Sequence, residues 1–218
     1  LDDYQAPNAG IIFANPNAPT GRALSLTEIE GLLQRNTESL VVVDEAYVDF
    51  GADSAIELTR RYDNVLVIQT FSKSRSLAGM RVGYAIGHED LISGLERVKN
   101  SFNSYPLDML AIASGAAAIE DDAYFRETTQ KIIDTRAWTE AALAELGFIS
   151  VPSKTNFLFT SHRYVEAAEL MGFLRANKIL VRHFSKPGID NHLRITIGTR
   201  EEMQAMVDAL KTHPDLAS

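Results

Sequence analysis

Residues 65–87 read VLVIQTFSKSRSLAGMRVGYAIG, two apolar runs on either side of a polar loop. Val65 to Phe71 and Val82 to Gly87 are rich in β-branched and aromatic residues and read as strands. Ten residues separate them. A parallel crossover needs a dozen or more, so the second strand is expected antiparallel to the first. Toward the start of the chain, Gly10 to Ala14 and Leu40 to Val43 are two more short runs of the same kind. Stretches of helical character lie between the first three strands. The clearest begins at Ser25, where Ser25-Leu26-Thr27-Glu28 forms a capping box ahead of Ile29, Leu32 and Leu33. Strands alternating with helices predict an α/β layer with a mostly parallel sheet and one antiparallel strand.

Toward the other end, a helix is expected from Asp90 to Phe102, broken at Asn103-Ser104-Tyr105-Pro106. A second runs from Leu107 to Ile119, and a long third from Ala123 to Leu146, closed by Gly147. Shorter units follow. Strands are expected at Phe148 to Val151, Asn156 to Thr160, Ile179 to Arg182 and Leu193 to Ile197, with helices at Val165 to Asn177 and Arg200 to His213. The reading is of two domains, 1–125 in the α/β layer and 126–218 in a smaller α+β layer, with the change inside the long helix.

Composition sets bounds. Of 218 residues, 45% are hydrophobic and 23% charged, ordinary for a globular protein. The net charge of −8 and the absence of any basic run argue against a nucleic-acid partner. No apolar stretch approaches the ~18 residues of a membrane span. Without cysteine there is no disulfide, thiolate metal site or cysteine nucleophile, which suits a reducing cytoplasm. The chain opens Leu-Asp-Asp-Tyr with no signal pattern, and reads as part of a longer protein.

Three polar clusters follow the first three strands: Asn15-Pro16-Asn17-Ala18-Pro19-Thr20-Gly21, Asp44-Glu45-Ala46-Tyr47, and Thr70-Phe71-Ser72-Lys73. Parallel strands deliver all three to one rim, where open α/β sheets bind ligands. A carboxylate half buried at a strand end, as Asp44 would be, needs a cationic partner. It equally suits a cap on the next helix, with Tyr47 merely packing. A lysine among hydroxyls near Arg81, desolvated beside a buried strand, can act as a Schiff-base nucleophile. Thr70, Ser72 and Arg81 suit a phosphate. A solvated basic loop is the plainer reading of the same residues.

Asn-Pro-Asn-x-Pro-Thr-Gly, Asp-Glu-Ala-Tyr and Ser-Lys-x-x-x-Leu-Ala-Gly-x-Arg-x-Gly-Tyr, in this order, resemble the fold-type I pyridoxal-phosphate aminotransferases. Leu193-Arg194-Ile195-Thr196-Ile197-Gly198-Thr199-Arg200 resembles the C-terminal signature of their histidinol-phosphate aminotransferase branch. The resemblance covers the whole chain as the C-terminal part of such an enzyme. It implies pyridoxal 5'-phosphate as cofactor, with Lys73 forming the Schiff base and moving the proton, Asp44 on the pyridine nitrogen, and Tyr47 on the 3-oxygen. Thr70, Ser72 and Arg81 would hold the phosphate. It implies Arg194 on the substrate carboxylate, Arg182 on a substrate phosphate and Asn156 facing the site. Arg182 also reads as a surface cation, and Asn156 as a turn residue.

The reaction implied is amino transfer between histidinol phosphate and 2-oxoglutarate or glutamate, in a cytoplasmic homodimer. An aromatic aminotransferase or a phosphothreonine decarboxylase would share every motif, and a non-catalytic relative would keep the fold alone. The sequence departs from the family at Ala18, where Asn usually precedes Pro-Thr-Gly; Asn17 or Tyr47 is then expected to serve the 3-oxygen. The family's upstream half, with its phosphate-binding helix N-terminus and ring-stacking aromatic, is not found here, so these 218 residues alone are expected to be inactive.

Overall fold

The computed structural model describes Tyr4 and residues 6–216. By its contacts the chain divides into two units, Leu1–Asn17 with Ala23–Glu127, and Ala18–Arg22 with Thr128–Ser218.

The first unit holds a four-stranded sheet of β1 (Gly10–Ala14), β2 (Leu40–Asp44), β3 (Val65–Thr70) and β4 (Gly83–Gly87), in that order. The first three strands are parallel and β4 runs antiparallel to β3, as the ten-residue loop requires. Alternation sends Ile11, Val41, Val43, Val65 and Val67 to one face, where Ile29, Leu32 and Leu33 of α1 (Leu26–Arg35) close a core. The Ser25–Glu28 capping box is formed: Ser25 Oγ accepts from the Glu28 N–H and Glu28 accepts from the Ser25 N–H.

Between β2 and β3 there is no α-helix, only 3₁₀ turns at Val48–Phe50 and Ala55–Arg60. Residues 45–64 are long enough for a helix of average length, so length is not the reason. The second turn is held by the buried Glu45, whose carboxylate accepts from Ser54 Oγ and the Ala55 N–H, both at 2.6 Å. Helices α2 (Glu89–Phe102) and α3 (Met109–Glu120) follow, then α4 (Asp122–Glu145), within which the units divide.

The second unit is α+β. Its antiparallel sheet has the order β5-β6-β8-β7, from β5 (Phe148–Val151), β6 (Phe157–His162), β7 (Arg182–His183) and β8 (Leu193–Thr196). Leu158, Leu193 and Ile195 pack on one face with Leu170 and Leu174 of α5 (Ala167–Ala176) and Met206, Val207 and Leu210 of α6 (Arg200–Lys211). The strand expected over Ile179 to Arg182 shrinks to two residues. The reason is the end of α5: the Ile179 N–H bonds the Leu174 carbonyl and the Lys178 N–H that of Arg175, with Lys178 left-handed at φ 64°. This Schellman closure uses up residues 178 and 179.

Candidate active site

Asp44 ends β2, level with Ala14 of β1 and Ile68 of β3, on the face opposite the α1 core. Being last in its strand, it lies half buried at the carboxyl rim. Its Oδ1 accepts from the Ala46 N–H at 3.0 Å. The capping alternative is thus realised as a turn rather than a helix start, since the next 3₁₀ turn begins only at Val48.

Tyr47, also half buried, comes from the turn after Asp44, and Lys73 Nζ lies 5.3 Å from the centre of its ring. Lys73 itself is exposed. The desolvation expected of it is therefore missing, because the loop turns Ser74 inward instead; Ser74 is buried and donates to Asp49 Oδ2 at 2.5 Å. Thr70 and Ser72 come together, their hydroxyls 3.0 Å apart, and the Ser72 N–H donates to Thr70 Oγ1 at 3.1 Å. Arg81 is left-handed at φ 57°, exposed, and donates to the Ala78 carbonyl at 2.9 Å.

Two roles in the Asn-Pro-Asn motif separate. Asn15, 1% exposed, is structural: its Oδ1 accepts from the Leu24 N–H at 2.7 Å. Asn17 is half buried, and Ala18 beside it is exposed. The motif's glycine has a steric reason, since Gly21 has φ +80° and a Cβ there would lie 2.7 Å from Ser153 Oγ.

In the second unit, register places Arg182 directly opposite Arg194 across β7 and β8, and Phe159 opposite Arg194 across β6 and β8. The Phe184 ring lies within cation–π range of both guanidinium groups, at 5.5 Å from Arg182 and 5.9 Å from Arg194. Arg182 is exposed and begins β7 rather than ending a strand. Arg194 is half buried, and its Nε is a buried donor with no hydrogen-bond partner among the described residues. Asn156 sits at the entry to β6, its carbonyl accepting from the Ile197 N–H at 2.9 Å.

His192 was not anticipated. It stacks on Phe159 at 4.5 Å with the rings 5° from parallel, and its buried Nδ1 lacks a partner among the described residues. Burial holds its pKa below the usual histidine value, with Asp190 opposing. Only its place two residues before Arg194, just ahead of β8, flags it in the sequence. Nor did the sequence reading give a role to Ser74, Asp49 or Arg75.

The first unit is thus an α/β layer whose lysine, tyrosine, aspartate and paired hydroxyls converge beyond the carboxyl ends of parallel strands, as in ligand-binding sheets of this class. Its family is plain from comparison: the chain belongs to the aminotransferases of class I and II, whose sequence model matches residues 1–210. Histidinol-phosphate aminotransferase 1 of Pseudomonas aeruginosa is 59% identical over 210 residues, 96% of this chain and 60% of that protein. The solved histidinol-phosphate aminotransferase of Sinorhizobium meliloti, in complex with pyridoxal-5'-phosphate, is 26% identical with TM-score 0.83 over 95% of this chain and 57% of that one. L-threonine-O-3-phosphate decarboxylase of Porphyromonas gingivalis is 27% identical with TM-score 0.79, over 92% of this chain and 63% of that one. The chain spans about 60% of the length of the curated relatives it matches.

Proposed function

We propose that this chain is the lysine-bearing part of a pyridoxal-phosphate-dependent aminotransferase acting on histidinol phosphate and 2-oxoglutarate or glutamate. The observation that carries it is the 59% identity to a histidinol-phosphate aminotransferase. In this reading, residues 1–125 belong to the cofactor-binding domain and 126–218 form the small domain. The protein works as a cytoplasmic homodimer; among the described residues no helix is long and apolar enough to cross a membrane.

The donor set fits the cofactor. When bound, pyridoxal phosphate supplies an electron sink for the substrate's α-carbon. Asp44 presents a half-buried carboxylate suited to a protonated ring nitrogen, and Tyr47 a phenol for the 3-oxygen. Thr70, Ser72 and Arg81 offer donors for a phosphate. Lys73 is the nucleophile and then the proton carrier. Asn17 is the candidate for the hydrogen bond that Ala18 lacks the side chain to make.

For the substrate, Arg182 opposite Arg194 sets like charges across a strand pair, which is unfavourable without an anion between them. The Arg194 Nε, without a hydrogen-bond partner among the described residues, suits a carboxylate oxygen. We assign Arg194 to the carboxylate common to donor and acceptor, Arg182 to the phosphate, and Asn156 to the same site.

The test uses the longer protein that contains this chain. Formation of glutamate from 2-oxoglutarate with histidinol phosphate, lost in Lys73→Ala, is expected. Carbon dioxide release from phosphothreonine without amino transfer would replace this reading with the decarboxylase. Turnover retained in Lys73→Ala would remove Lys73 from the chemistry.

A further inference from the structure

The loop that carries Lys73 is fastened at residues to which no role has been given. On itself it is closed by two backbone bonds, Ser76 N–H to the Lys73 carbonyl at 3.1 Å and Leu77 N–H to the Phe71 carbonyl at 2.9 Å. Ser76 holds φ 56° to do so, a left-handed conformation costly for a residue with a Cβ. A loop bent this way reopens unless something outside it holds it shut.

Arg75 is placed to do that. Its guanidinium donates to the carbonyl of Ala118, in the last turn of α3, where backbone carbonyls run out of intrahelical partners. A cation there also meets the negative end of the helix dipole. The same guanidinium lies 4.0 Å from the centre of the Phe125 ring in the first turns of α4, and 5.7 Å from that of Phe71 at the base of the loop. A planar group that stacks on rings and donates from its edge does both jobs at once, which an ammonium does not.

We propose that Arg75 is a positioning residue for Lys73, clamping the lysine loop to the joint between α3 and α4. Its importance for catalysis rests on the function proposed above for Lys73. The clamp itself is a property of this chain.

The experiment compares the longer protein that contains this chain with its Arg75→Ala, Arg75→Lys and Phe125→Leu variants, the last removing the stacking ring from the other side. Hydrogen exchange at the Ser76 and Leu77 amides is read beside amides of β2 and β3. A charge-assisted hydrogen bond predicts about tenfold or greater acceleration at the loop amides in Arg75→Ala, less in Arg75→Lys and Phe125→Leu, and none in the strands. In parallel, each variant is incubated with pyridoxal phosphate, reduced with borohydride, and the modified lysines mapped. The share of adduct on Lys73 should fall several-fold in Arg75→Ala and recover in part in Arg75→Lys. Unchanged loop exchange, equal acceleration throughout the first unit, or an unchanged Lys73 share would each overturn the proposal. An adduct absent from Lys73 in the unaltered longer protein would defeat the cofactor reading instead, and the exchange arm would still decide the clamp.

Discussion

Among single residues, the motif Asp44-Glu45-Ala46-Tyr47 divides its labour between two neighbouring acids. Asp44 faces the rim. Glu45 points the other way, is 2% exposed, and accepts from Ser54, the Ala55 N–H and Gln69. Burial raises its pKa above the usual carboxylate value, against the lowering effect of those three hydrogen bonds. A raised folded pKa means that the folded state favours the protonated form. The stability this group contributes is then complete below the unfolded value of 4.5 and declines as pH rises through the raised folded one. In Glu45→Gln that pH dependence should vanish. One amide oxygen cannot serve three donors, so the variant should also lose roughly 1–3 kcal/mol at all pH. Urea unfolding of both proteins across this range checks it; parallel stability curves would show that Glu45 does not titrate differently on folding. The two arginines of the second unit separate in the same manner. Arg194→Ala should raise KM for both amino donor and acceptor about ten- to a hundredfold, and Arg182→Ala chiefly for a phosphorylated donor. Steady-state kinetics of the longer protein with phosphorylated and unphosphorylated donors decide this, and equal losses on every substrate would take Arg182 off the phosphate.

Elements were legible where their signals are local. The Ser25 box, the break before Pro106 and the antiparallel β4 follow from a cap, a proline and a loop length, none of which depends on distant contacts. Those that depend on tertiary support were not. Whether 3₁₀ or α follows β2 is settled by the Glu45 carboxylate, and the extent of β7 by how α5 ends. The site shows the same split. Lys73, Asp44 and Tyr47 announce themselves as strand-end motifs. Arg75, Ser74 and His192 matter through partners at 43, 25 and 33 residues' distance in sequence, Ala118, Asp49 and Phe159, which no local pattern connects. The α5 ending yields a prediction. Lys178 holds the left-handed C′ position where glycine pays no steric cost. Lys178→Gly should therefore stabilise the protein by about 0.5–1 kcal/mol, the strain relieved outweighing the entropy lost. Ser25→Ala, which deletes the α1 cap, should cost about 1 kcal/mol. Thermal melts of the pair should move in opposite directions; a lower melting temperature for Lys178→Gly would mean that the lysine side chain contributes more than its backbone costs.

The whole molecule presents apolar surface that its own packing does not account for. Met109 and Leu110 of α3 are 87% and 73% exposed, Ile112 and Ile119 both 58%, and Ile12 on the sheet face away from α1 is 72% exposed. An α-helix apolar on every side belongs in an interior, because no orientation hides it behind a single contact. The sheet adds to this, since β1 pairs only with β2 and leaves its other edge without a strand among the described residues. Exposed apolar side chains in such number drive association whenever nothing else covers them. The 218-residue chain is therefore expected to self-associate in a concentration-dependent way and to bind a hydrophobic dye while its circular dichroism remains that of a folded α/β protein. Leu110→Lys and Met109→Glu lie on α3 outside the buried set of Ala111 and Gly115, so they should lessen both effects without loss of structure. Sedimentation velocity of the chain and the double variant provides the measurement. A monomer at every concentration in the unaltered chain, with no dye binding, would show that these side chains are satisfied in solution by a packing different from the one described.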